Sequence, residues 1–126
     1  MVAHGIPYAA TACVAYPEDF YHKVKKAKEI QGLKFIHLLS TCPTGWRIAS
    51  QFSVRVARLA VLTRIFPLYE VEDGERLTIN VKPEFRPVRD YLKIQGRFNH
   101  LTDQDIEAIQ ENVEKAWKKL VKRAES

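Results

Sequence analysis

Cys42 is the residue of this chain best placed to bind a metal. It follows Phe35-Ile36-His37-Leu38-Leu39-Ser40-Thr41, an apolar run that predicts a short buried strand, and precedes Pro43-Thr44-Gly45-Trp46, a tight turn. A strand feeding a rigid turn holds a thiolate in one place, as an iron–sulfur ligand must be held. In α/β folds, ligands bind at the carboxyl ends of parallel strands, and the turn exposes backbone N–H groups able to bond cluster sulfurs. A cluster takes about four such ligands, yet the only other cysteine is Cys13. Either Cys42 is an ordinary buried thiol, or it completes a site whose other ligands lie elsewhere. The rest of the chain favours the second reading.

Other chemistries find little support. His37 and Cys42 invite comparison with a cysteine–histidine nucleophilic pair, but five positions apart on one strand they point to opposite sides. A packed or hydrogen-bonded structural role is expected for His37. His4, His22, His37 and His100 are too scattered for a zinc signature. The glycines at 5, 32, 45, 74 and 96 never cluster as a phosphate loop demands. No serine sits between glycines as in a nucleophile elbow. Cys13 ends the strand predicted next to that of Cys42, which brings it near, but a structural thiol is the expected role.

The elements that must position Cys42 are legible in part. Gly5 to Ala15 is apolar without helical periodicity and predicts a buried strand running into a loop. Pro17-Glu18-Asp19 starts a helix, with proline in the first turn and acids at the positive dipole end. Phe20, Val24, Ala27 and Ile30 form its apolar stripe, and Gly32 the stop. Lys34–Ser40 is the next strand, so the unit is strand–helix–strand, the parallel building block of an α/β sheet. Ser53 is a candidate cap for a helix running to about Arg64, with Val54, Ala57, Ala60 and Val61 buried. Strands at Pro67–Glu72 and Arg76–Val81 flank an Asp73-Gly74 hairpin turn. Val88–Ile94 predicts a short helix. Thr102 with Asp105 approximates a capping box, and Ile106, Ile109, Val113, Trp117 and Leu120 form one stripe of a last helix ending near Arg123. Only two strands of the parallel layer are visible, too few for such a layer to stand alone. The chain reads as the back end of a domain.

With 126 residues, 46% of them apolar, there is room for one modest globular domain. No run approaches the roughly 18–20 apolar residues that span a bilayer, and the start lacks a signal peptide's basic and apolar regions. Two cysteines at unrelated positions imply no disulfide framework, so reducing cytoplasm is the expected compartment. The net charge of +5 admits an acidic partner. Lys23, Lys25, Lys26 and Lys28 on one predicted helix, and Lys118, Lys119, Lys122 and Arg123 on another, read first as solvated faces. Attraction of a nucleic acid or an acidic electron carrier is the alternative. A small basic binding module with a merely structural Cys42 is therefore the competing function.

Three segments together resemble one family. Gly5 to Ala12 with Ala15-Tyr16-Pro17-Glu18-Asp19, Lys34 to His37 with Cys42 to Trp46, and Arg86 to Leu101 are similar, in order and spacing, to the closing part of the thiamine-diphosphate-binding β subunit of pyruvate:ferredoxin oxidoreductase (pyruvate synthase). The resemblance implies an α/β fold. Residues 1–66 would be the C-terminal half of a thiamine-diphosphate-binding domain, and 67–126 a β-hairpin and helical tail in the same structural unit. It implies an enzyme that oxidatively decarboxylates pyruvate with coenzyme A, giving acetyl-CoA and CO2 and reducing ferredoxin through a 4Fe-4S cluster. By the same resemblance Cys42 matches the last of four cluster cysteines, with Gly45 and Trp46 shaping the surroundings. The other three cysteines, and the segment holding magnesium and the diphosphate, have no counterpart here. A fragment, a truncated reading frame or one product of a split gene would each fit, and the chain is expected to be inactive alone. Its implied partners are the upstream half of the β subunit and the other oxidoreductase subunits, without membrane or nucleic acid.

Overall fold

All six residues of strand β1 (Tyr8–Cys13) are buried, as a central strand covered on both faces requires. The computed structural model describes all 126 residues, Met1–Ser126. After β1 come helix α1 (Pro17–Glu29), strand β2 (Lys34–Leu39) and a single-turn helix α2 (Pro43–Trp46). Helix α3 (Ser53–Leu62), strands β3 (Tyr69–Glu72) and β4 (Arg76–Ile79), and helices α4 (Val88–Lys93) and α5 (Asp103–Glu125) complete the chain. One four-stranded sheet runs in the order β2-β1-β3-β4. β1 and β2 are parallel, with Tyr8 opposite Lys34 and Cys13 opposite Leu39. β3 lies antiparallel to β1 on its other side and pairs in turn with β4. The architecture is α/β, as the sequence predicted. The hairpin extends the same sheet, with β3 beside β1 and β4 at the far edge.

Three buried clusters fix the layers. On one face of the sheet Cys13, Ala15, Ala57, Val61 and Leu68 pack together. Beside them Val56, Leu59 and Ala60 of α3 meet Val88, Tyr91 and Leu92 of α4 and Ile106 of α5. On the opposite face Tyr8, Ala10 and Ala27 join α1 to β1. A polar network reinforces this contact of α1 with the sheet. Glu70 of β3 accepts hydrogen bonds from Tyr8 Oη (3.2 Å), Lys26 Nζ (2.7 Å) and Asn80 Nδ2 (2.6 Å), and Lys26 also pairs with Glu72. Burial raises the Glu70 pKa, but the bonds from Lys26 and Asn80 outweigh it and hold the carboxyl below its usual range. α5 begins with the predicted capping box. Asp105 N donates to Thr102 Oγ1 at 3.2 Å and Thr102 N to Asp105 Oδ2 at 2.9 Å.

Four expectations need correction. β2 is not buried, because it is the edge strand of this sheet, and Phe35, Leu38 and the preceding Leu33 are exposed. Ser53 does not cap α3; it is already helical, and its Oγ donates to Ser50 O instead. On the same helix Val54 is exposed, and Val56 and Leu59 join the buried face. In α1 Val24 is exposed while Lys23 is buried, since Lys23 Nζ reaches both Thr11 O (2.8 Å) and Asp19 Oδ2 (2.6 Å). Finally, α1 ends at Glu29, ahead of Gly32.

Candidate functional site

The parallel pair delivers Cys42 to the molecular surface. β2 ends at Leu39, and Cys42, in extended conformation, is the residue capping α2. Pro43 opens the single helical turn, where its missing N–H costs nothing, and Trp46 N donates to Cys42 O at 2.8 Å. The thiol is exposed. That removes the reading of Cys42 as an ordinary buried residue. Its sulfur lies directly over Gly45: a Cβ on that glycine would sit 3.1 Å from Cys42 Sγ. Glycine thus leaves open the space around the sulfur.

A second segment clamps the turn from the side. Arg47 has a left-handed backbone (φ 53°), and its carbonyl accepts a hydrogen bond from Gly96 N at 2.9 Å. The approach is so close that a Cβ on Gly96 would meet Arg47 Cβ at 2.6 Å. The next residue, Arg97, lays its guanidinium 3.9 Å from the Trp46 ring centre and 4.5 Å from that of Phe98. It is held there by Nε donating to Gln95 Oε1 (2.7 Å) and Nη2 to Tyr91 Oη (3.3 Å). Gln95, fully buried, is anchored in turn by donating to Tyr91 O at 2.7 Å. A fixed positive charge therefore stacks on the aromatic residue of the cysteine turn. Nothing in the spacing of the sequence signalled that Gln95, Gly96 and Arg97 pack here.

The other candidates lie apart from this site. Cys13 is fully buried against α3, its Sγ donating to Ala57 O at 3.5 Å, and burial pushes its thiol pKa up. That is the structural role expected of it. His37 is exposed, with its ring edge-on to Phe66 at 5.3 Å between centroids. It packs against one side of the edge strand rather than within a core, because β2 has no neighbour beyond it. No three His, Cys, Asp or Glu side chains converge to hold a metal. No helix is long and apolar enough to cross a membrane.

A parallel strand pair, a Pro-Thr-Gly-Trp turn that carries an exposed cysteine beyond the second strand, and a tail that clamps this turn define an α/β unit with one surface thiol. In sequence it corresponds to a C-terminal portion of the B subunits of pyruvate synthase and ketoisovalerate oxidoreductase. It is 56% identical to pyruvate synthase subunit PorB of Methanocaldococcus jannaschii over 95% of this chain and 40% of that protein. With ketoisovalerate oxidoreductase subunit VorB of Pyrococcus horikoshii it shares 51% identity over 99% of this chain and 41% of that protein. Pyruvate synthase subunit PorB of Methanothermobacter marburgensis is 46% identical over 95% of this chain and 42% of its own length. The chain thus spans about two-fifths of these relatives. No family model matches it.

Proposed function

We propose that this chain is the C-terminal segment of the β subunit of a 2-oxoacid:ferredoxin oxidoreductase, and that Cys42 supplies one thiolate to its 4Fe-4S cluster. The assembled enzyme would decarboxylate a 2-oxoacid such as pyruvate with coenzyme A, yielding the acyl-CoA and CO2 and passing electrons to ferredoxin. The single observation that carries the assignment is the exposed Cys42 sulfur over Gly45, where a side chain would crowd it. One thiolate fits one corner of a cluster. The remaining ligands would come from the preceding part of the subunit. When bound, the cluster supplies one-electron transfer.

This chain's own residues hold and tune. α2 fixes the direction of the thiolate, and Gly45 keeps its surroundings open. Arg97, stacked on Trp46, places a cation beside the site. Such a charge favours the more negative, reduced state of a cluster and so raises its potential. Thiamine diphosphate and magnesium do not fit the residues present. The dispersed glycines form no phosphate loop, and no carboxylate cluster is placed for a divalent ion. Those groups would be gripped by the preceding part of the subunit. Relatives named for pyruvate and for ketoisovalerate match at 56% and 51% identity, so this segment does not distinguish the two oxoacids.

The test is reconstitution. Mixed anaerobically with the preceding segment of a B subunit and the partner subunits, the chain should restore 2-oxoacid-dependent viologen reduction, and omission of the chain should abolish it. Equal activity with and without the chain, or turnover by the chain alone, would overturn the proposal. The competing basic-module reading predicts instead salt-sensitive retention on nucleic acid with no effect on reconstitution.

A further inference from the structure

A cationic groove runs between α3 and α4 toward the cysteine turn. It has a volume of about 460 Å³ and is walled by Arg55, Arg86, Arg89 and Lys93 over an apolar floor of Leu59 and Ile94. Arg58 extends it into an adjoining depression of about 370 Å³. One carboxylate, Asp90, lines it, and that group is already paired with Arg86 at 2.7 Å. Arg89 is held by Asp103 at 2.9 Å. Arg55, Arg58 and Lys93 are exposed and have no acidic partner. The two helices run in opposite directions: Arg86 N donates to Leu62 O at the far end of α3, while Arg55 near its start faces Lys93 and Ile94. That second end adjoins the site. α3 follows the cysteine turn in the chain, and α4 leads into Gly96 and Arg97, which pack on Arg47 and Trp46.

We propose that this groove is the docking surface for a small acidic protein, the electron carrier that the function above requires; the inference rests on that reading. Charge complementarity selects the partner. Arginine forks at fixed spacing match carboxylates, and an apolar floor between them suits a protein surface better than a phosphate backbone. Docking here would bring a carrier to the end of the molecule that presents Cys42. Exposed cations at the rim would act by steering, so their effect should be strongly salt-dependent.

The experiment measures binding of the chain to an acidic ferredoxin at low and high ionic strength, with short duplex DNA as a parallel probe. Arg55→Glu/Lys93→Glu reverses the groove. Lys118→Glu/Lys122→Glu makes the same charge change on α5, where both lysines are exposed. Circular dichroism checks that each variant is folded. The expected result is ferredoxin binding at low salt, weakened at least about tenfold by the groove variant and less than about threefold by the α5 variant. Equal loss in both variants would reduce the effect to net charge and overturn the proposal. So would ferredoxin binding untouched by the groove variant, absence of ferredoxin binding, or binding of DNA alone. Cluster formation, read separately, keeps the two claims apart. A Cys42-dependent cluster with no groove-dependent docking sinks this inference alone. Groove-dependent docking without such a cluster sinks the ligand assignment alone.

Discussion

Gly45→Ala separates the needs of the cluster from the needs of the fold. Gly45 lies inside α2 without a left-handed backbone, so alanine is conformationally allowed there. Replacing such a glycine restricts the unfolded chain and gains about 0.4–1 kcal/mol, which for a domain of this size raises the melting temperature by about 2–4 °C. The new Cβ, however, would stand 3.1 Å from Cys42 Sγ, and the sulfur must yield by a few tenths of an ångström. Metal–ligand distances tolerate only about 0.2 Å. The apo-chain should therefore melt at the same temperature or slightly higher, while cluster occupancy in the reconstituted subunit falls severalfold. Scanning calorimetry reads the first quantity, iron and sulfide content per chain the second. Full cluster loading in the alanine variant would refute the reasoning, because the open space over Gly45 would then have no bearing on the sulfur's task. A large fall in melting temperature would refute it differently, by showing that the glycine serves the fold.

The remaining predictions concern stability. Glu70→Ala leaves the Tyr8 hydroxyl and Asn80 without their acceptor and Lys26 with Glu72 alone, and should cost about 2–3 kcal/mol in urea denaturation. Because the folded-state pKa of Glu70 is depressed below its ordinary value of 4.5, its contribution is complete above that pH. It should be lost as pH falls through the lower, folded-state value, so the gap between wild type and Glu70→Ala narrows in acid. Thr102→Ala removes the cap of α5 and should cost about 1 kcal/mol, with amide exchange accelerating first at Asp105 and Ile106. Burial lowers the Lys23 pKa against the opposing pull of Asp19. At Lys23 the unfolded chain therefore binds more protons just below pH 10.5, so this residue's own contribution to stability rises with pH there. The raised pKa values of Tyr8, Cys13, Tyr16 and Lys26 pull total stability the other way. The difference in stability between wild type and Lys23→Met should therefore shift in favour of wild type as pH rises toward 10.5, as read from the two melting temperatures against pH.

The sequence was most legible where local chemistry decides structure. Thr102 and Asp105 specified the start of α5, and Pro17, Glu18 and Asp19 that of α1, because caps act on backbone groups within one turn. The Asp73-Gly74 turn was likewise readable, and both residues take left-handed conformations. Side-chain burial was less so. A lysine was buried in place of Val24 because Asp19, one turn earlier, and the carbonyl of Thr11 both reach the Lys23 amine, and apolar periodicity cannot register that pairing. β2 reads as buried because it is rich in Phe, Ile and Leu. Its exposure follows from its position at the sheet edge, which is a matter of topology rather than of composition. At the site, Cys42 and its turn could be found from residue types alone. The clamp of Gln95, Gly96 and Arg97 could not, since it joins segments some fifty positions apart through stacking and one backbone hydrogen bond.

The most direct measurement is low-temperature electron paramagnetic resonance of the reduced, anaerobically reconstituted subunit, with this chain carrying either Cys42 or Cys42→Ser and the preceding segment supplied in both. A 4Fe-4S signal is expected with Cys42, and with serine its loss or a changed spectrum and potential. An unaltered signal of equal intensity in the serine variant would contradict that expectation and remove Cys42 from the ligand set.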